Sequence, residues 1–304
     1  MENTRAKTTR NSLILLLTAT IWGMAFVSQS KGMDYMHPFT FNGVRSLIGA
    51  AGILIYILFS RKIAGDKAAK LDWKLNVKAG LLCGIFLTIA SILQQFGIKY
   101  TSVGKAGFIT TLYIIFVPMF GIFLKKKVAP VVWAAAGMAA VGMYLLCMTE
   151  SLRLGAGDIM VFLCAIAFAI QIMTVDHYAA RIDGAVVSCI QFTVCGVVCC
   201  IGALIWGQPT FGQIQEGLGA LLYAGVLSCG VGYTLQIVGQ KGLNPTVAAL
   251  IMSLESVIAT ISGWIAYKIG FLSTDQTLTP RQIAGCIIVF AAVILVQLPP
   301  EWFR

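Results

Sequence analysis

Runs of about 20 mainly apolar residues recur along this chain, and a run of that length is what a helix needs to cross a bilayer. They cover 11–30, 39–59, 77–98, 105–124, 128–148, 157–175, 185–206, 217–238, 245–267 and 281–298. Helix breakers separate them: Pro38, Gly65-Asp66, Pro130, Gly155-Ala156-Gly157, Gly184, Gly207-Gln208-Pro209, Asn244-Pro245 and Pro280. Period-two alternation is not sustained, which argues against a membrane barrel. Only 11% of residues are charged and 58% are hydrophobic, against about 25% charged in soluble domains. The expectation is an all-α integral membrane protein with ten transmembrane helices. Arg5, Lys7 and Arg10 ahead of the first run resemble a signal peptide, but the run continues to Val27 without a cleavage pattern. It reads as an uncleaved first span.

The net charge is +10. In a soluble chain that would suggest nucleic acid, but here the basic residues occupy short segments between apolar runs, as at Arg61, Lys62, Lys67 and Lys70. No nucleic-acid partner is expected, and membrane lipid is. With the N-terminus inside, fifteen of the 22 Lys and Arg fall on that side and six on the other, with Arg45 inside a span. Lysine and arginine favour the cytoplasmic side, so both termini are expected there, in a multi-pass protein of the plasma membrane. All nine cysteines lie in apolar runs rather than loops. That suits packing residues, not a disulfide framework. No CxxC spacing occurs, and only His37 and His177 could join a thiolate site, so neither metal nor cofactor is expected.

The chain also repeats itself. At an offset of 142, Leu93-Gln94 falls on Leu235-Gln236, Gly97 on Gly239, Lys99 on Lys241, Ala106 on Ala248, Ile109 on Ile251 and Leu112 on Leu254. Nearer the start, at an offset of 146, Arg45 falls on Gln191. Two units result, 1–150 and 151–304, with five spans each. Five is odd, so consecutive copies run in opposite senses through the membrane. Such inverted repeats enclose a central cavity near the midplane.

Several short stretches resemble the drug/metabolite transporter superfamily, in particular its EamA-like family. They are Trp22-Gly23, Val44-Arg45-Ser46, the string from Thr101 to Phe108 leading to Val117-Pro118, Leu154-Gly155-Ala156-Gly157-Asp158, and Ser253-Leu254-Glu255-Ser256-Val257. The resemblance implies a ten-helix fold with a cavity lined by spans 1, 3, 4, 6, 8 and 9. It also implies transport, often export, of amino acids or other small metabolites. The chain departs from the family where an acidic residue often follows spans 4 and 9; here those places read Leu124-Lys125-Lys126-Lys127 and Tyr267-Lys268-Ile269-Gly270.

Glu255 is the strongest candidate for function, because a charge at the bilayer centre costs about 2.5–3.5 kcal/mol on insertion scales. It should face the cavity, find a partner or take up a proton, either binding a cationic solute group or coupling transport to protons. The alternative is a structural acid bonded to Ser253, Ser256 or Thr260. Tyr113 is its mate at offset 142 and can hydrogen-bond a carboxyl. Arg45 can fork a solute carboxylate or lock helix ends. Lys105 attracts anions at a cavity mouth or anchors its helix among headgroups. Gln94, Gln95, Gln171 and Gln236 are amides inside spans, suited to a polar solute or to tying helices together. Trp22 and Tyr233 are candidate cavity walls. Asp158, after Gly155-Ala156-Gly157, reads as a helix N-terminal acid.

The expectation is a secondary transporter, with a small-molecule solute as partner, working as a monomer or weak dimer. There is no phosphate-binding loop and no catalytic constellation such as His-Glu-x-x-His. An enzyme is therefore not expected; a membrane enzyme or a channel remains the alternative class.

Overall fold

A computed structural model of the chain describes residues 2–64, 71–124, 130–147, 155–273 and 275–297. Its helices are α1 (Glu2–Gly32), α2 (Pro38–Ala64), α3 (Trp73–Ile98), α4 (Val103–Thr111), α5 (Tyr113–Phe123), α6 (Pro130–Cys147) and α7 (Ala156–Tyr178). There follow α8 (Gly184–Gly202), α9 (Phe211–Glu216), α10 (Leu218–Leu222), α11 (Tyr233–Gln240), α12 (Pro245–Met252), α13 (Glu255–Lys268) and α14 (Pro280–Gln297). Of the charges counted for orientation, Lys67, Lys70, Lys125, Lys126, Lys127, Arg153 and Arg304 lie outside the described residues, as does Leu154.

Among the described residues, eight helical segments are long and apolar enough to cross a membrane. Two shorter apolar helices, Pro130–Gly142 and Pro280–Leu295, occupy the fifth and tenth expected positions. Exposed leucine, isoleucine and phenylalanine side chains cover the outside, such as Ile55, Leu58 and Phe59 on α2. That is the reverse of a water-soluble surface and fits contact with lipid.

Local chemistry sets the helix starts. Asp72 accepts the backbone N–H of Leu75, Ser102 that of Lys105, Asp183 those of Ala185 and Val186, and Asn244 that of Thr246. Each side chain satisfies a donor that a helix N-terminus leaves unpaired.

Two apolar runs that read as unbroken spans are each interrupted in the middle. Residues 105–124 divide at Leu112 into α4 and α5, and residues 245–267 divide at Ser253-Leu254 into α12 and α13. Hydroxyl groups compete with the backbone at both breaks. Thr111 donates to the carbonyl of Phe108, Ser253 to Leu250 and Ser256 to Ser253. Such back-bonding bends helices. The eighth expected span carries a π-helical stretch, Tyr223–Gly232, between α10 and α11.

Helices pack closely where glycines meet backbone. A Cβ on Gly97 would lie 2.3 Å from Val161 Cγ2 and 2.8 Å from the Gly157 oxygen; one on Gly239 would lie 2.7 Å from Leu15 Cδ2 and 3.2 Å from the Asn11 oxygen. Gly84 likewise meets Gln191 and Val194, and Gly225 meets Arg45 and Ile48. The contact of α3 with α7 thus resembles that of α11 with α1, and the contact of α3 with α8 resembles that of the π-helical stretch with α2. In addition, α2 packs on α8, α6 on α14, α4 on α13 and α5 on α12.

Candidate functional site

The breaks in the two interrupted helices face each other. Tyr113, the first residue of α5, donates its hydroxyl to Glu255 Oε1 at 2.9 Å, and Glu255 is the first residue of α13. Both side chains are buried, at 2% and 4% exposure. The carboxylate therefore sits at the start of a half-helix, where backbone N–H groups point outward and the helix dipole is positive. Among the described residues no cation is within ion-pair distance of Glu255.

This pair lines an internal cavity between α1, α2, α3, α4, α5, α7, α8, α11, the π-helical stretch and α13. Its free volume is about 30 Å³, room for about two waters at roughly 10–15 Å³ each. An organic solute can occupy it only after helices separate. Trp22 and Tyr233 form one wall, with ring centroids 4.5 Å apart, and Phe192 meets Tyr233 edge-on at 4.9 Å.

Of the residues singled out in the sequence, Trp22, Arg45, Gln94, Tyr113, Gln171, Tyr233, Gln236 and Glu255 line this cavity. Gln95 does not; it points away and donates to the carbonyl of Gln29 at 3.2 Å. Lys105 also lies elsewhere. Its ammonium pairs with Asp158 at 2.6 Å, and Asp158 also accepts from Thr101 at 2.9 Å and from the Gly155 backbone at 2.9 Å. Lys105 thus bridges the starts of α4 and α7, and Asp158 caps α7 as its position suggested.

Several polar atoms in the cavity wall are buried without a partner among the described residues. They are Arg45 Nε, Trp22 Nε1, Gln29 Oε1 and Gln236 Oε1. Leaving such groups unmade costs about 1–3 kcal/mol each. Two are donors and two are acceptors, so the wall offers unused bonding capacity of both kinds. Other amides are chained. Gln236 donates to Gln171 at 3.2 Å, Gln171 to Gln191 at 3.4 Å, and Gln94 to Thr110 at 3.2 Å. Arg45 lies over the ring of Phe41, 5.5 Å from its centroid.

Reading residue by residue missed Phe26 and Gln29, which line the same cavity. The signal was present: Trp22, Ala25, Phe26 and Gln29 are spaced i, i+3, i+4 and i+7, one stripe of a helix. Ser228 was less accessible, because it lies in the π-helical stretch where that spacing no longer holds.

With the geometry in hand, the chain can be set beside known proteins. The EamA-like transporter family matches residues 10–148 and again residues 155–298. An uncharacterized transporter of Archaeoglobus fulgidus is 28% identical over 290 residues, spanning 93% of this chain and 84% of its own. The uncharacterized transporter YwfM of Bacillus subtilis is 24% identical over 295 residues, spanning 95% and 94%. A crystal structure only 16% identical aligns over 97% of this chain and 99% of its own with a TM-score of 0.74, a likeness of fold. The apolar helices, the buried polar cavity and both family matches lead to one assignment: this chain is a membrane transporter that belongs to the EamA-like transporter family, within the drug/metabolite transporter superfamily.

Proposed function

We propose that this transporter moves a small organic metabolite, an amino acid or an amphipathic cationic compound, by alternating access, and that it works as an exporter. In this reading ten spans form two inverted five-helix units, 1–150 and 151–304. The α6 and α14 helices are the fifth span of each. Glycine contacts that recur with partners 146 residues apart support the repeat, as does the meeting of Tyr113 with its offset mate Glu255. Both termini are cytoplasmic, at the plasma membrane, as the lysine and arginine bias suggests.

The observation that carries the reading is a buried carboxylate that, among the described residues, has no cation partner, at a break between half-helices, facing a cavity whose wall holds donors and acceptors unpartnered among those residues. Broken helices of this kind form solute sites in transporters with inverted repeats. Glu255 either receives a cationic solute group or exchanges a proton for it. Arg45 and Trp22 offer donors for an anionic or carbonyl group, and the Trp22–Tyr233 wall suits an apolar body.

The test is counterflow in liposomes holding purified protein, with labelled amino acids and cationic amphiphiles as solutes. The reading expects saturable, exchange-stimulated flux of at least one class, driven by a proton gradient and lost in Glu255→Gln. Non-saturable flux would indicate a channel, and flux in Glu255→Gln equal to wild type at every pH would remove Glu255 from the mechanism.

A further inference from the structure

A second pocket lies far from the central cavity, at the end of the bundle where the chain starts. Asn11, near the start of α1, donates to the backbone carbonyl of Lys241 at 2.7 Å, which fixes that end. The pocket has a volume of about 550 Å³ and lies between the end of α2, the starts of α3 and α8, and the end of α11. This is in the range of ligand sites.

Three cations line it: Arg61, Arg181 and Lys241. Two carboxylates line it as well, Asp72 and Asp183, each tied to a helix start through its Oδ1, so the lining carries a net charge of +1. Asp72 accepts the Leu75 N–H at 3.0 Å, and Asp183 accepts those of Ala185 and Val186 at 2.9 and 3.1 Å. Neither forms an ion pair with Arg181 or Lys241. Asn76 braces the floor, accepting the Asp183 N–H at 2.9 Å and donating to the Asp72 carbonyl at 2.8 Å. Lys241 Nζ donates one bond, to the carbonyl of Ile182 at 3.1 Å. That holds the ammonium at the wall and leaves two of its three protons for another acceptor.

One side of the pocket opens on the lipid-facing surface. Tyr56 is at the rim, 61% exposed, and continues into the exposed apolar face of α2 with Ile55 and Phe59. The cations therefore sit where the apolar belt ends, next to a surface made for acyl chains.

We propose that this pocket binds a phosphate group, held by Arg181 and Lys241. Arginine offers two parallel N–H groups matched to phosphate oxygens, and lysine adds a point charge. The phosphate comes either from an anionic phospholipid, whose tails would run along α2, or from the aqueous phase. Basic pockets between helices at a membrane surface hold anionic headgroups in this way.

The test uses the whole purified chain. Native mass spectrometry measures retention of phosphatidylglycerol against phosphatidylcholine, and thermal unfolding measures stabilisation by phosphatidylglycerol or by sodium phosphate. Arg181→Gln alters an exposed side chain without a backbone bond, so it should fold. Arg181→Gln with Lys241→Gln removes two cations, and Lys268→Gln removes one at the opposite end as a control. Binding should weaken about fivefold per cation removed and stay unchanged in the control. A response to phosphatidylglycerol alone assigns the site to lipid; a response to sodium phosphate assigns it to a soluble anion. If neither ligand distinguishes wild type from both pocket variants, the proposal is wrong.

Discussion

Glu255 and Tyr113 make different contributions that substitution can separate. Glu255→Gln keeps an oxygen for the Tyr113 hydroxyl and removes only the charge. The fold should persist while flux falls about tenfold or more, the scale of the roughly 1.5–3 kcal/mol carried by a hydrogen bond to a charged group. Tyr113→Phe instead strips a buried carboxyl of its donor. It should lower thermal stability by about 1–3 kcal/mol, measured by unfolding in detergent. His37 serves as a pH control. It lies in the loop between α1 and α2, where burial, and then the charge of Lys99, hold its imidazole below the usual value of 6.5. A depressed histidine stabilises the fold when neutral, above that value, and the contribution is lost as pH falls through it. His37→Gln should therefore leave the pH profile of flux unchanged above pH 6.5. Much of the cavity was legible at this scale, because an acid, an arginine and amides inside apolar runs have few tolerable places to go. Gln95 was not separable from Gln94 by residue type alone. Adjacent residues point about 100° apart around a helix, and of these two only Gln94 lines the cavity.

The helices were legible where hydrophobicity and caps agree, and obscure where a break has no breaker. Pro118 lies inside α5, yet the chain divides before it, at Leu112, where hydroxyl back-bonding rather than proline interrupts the ladder. Leu112-Tyr113 and Leu254-Glu255 contain neither glycine nor proline, so periodicity alone reads straight through them. The π-helical stretch Tyr223–Gly232 does hold three glycines, but they lie inside an unbroken apolar run and mark no boundary there. Close packing of elements yields a sharper forecast. Gly97→Ala drives a methyl into Val161 and the Gly157 backbone, whereas Gly239→Ala mainly meets the movable end of Leu15. Both should destabilise, by about 1–3 kcal/mol for overpacking, with Gly97→Ala the worse. Thermal midpoints of the two variants, measured side by side, check the order.

Across the whole molecule, the Lys105–Asp158 pair joins the starts of α4 and α7, the helices that bring Thr110 and Gln171 to the central cavity. Weakening it should favour opening between those helices. Cys229 lines the cavity and reports on it. In a background where the other cysteines are replaced, Lys105→Gln or Asp158→Asn should raise the rate at which an impermeant maleimide labels Cys229. The increase should be about fivefold, as for loss of an ion pair of about 1 kcal/mol. Unchanged labelling would mean that the pair does not govern access.

The junction of Tyr113 with Glu255 has a further consequence. Two identical subunits related by a two-fold axis must present each residue on that axis to its own copy, acid against acid or phenol against phenol. In the proposed arrangement, joining two inverted units in one polypeptide lifts that restriction, so an ionisable group can meet a neutral hydroxyl at the seam. Lopsidedness at the centre is then available to a scaffold whose helices pack in matched pairs, and under the proposed function a single proton or charged solute would have one home there instead of two competing ones.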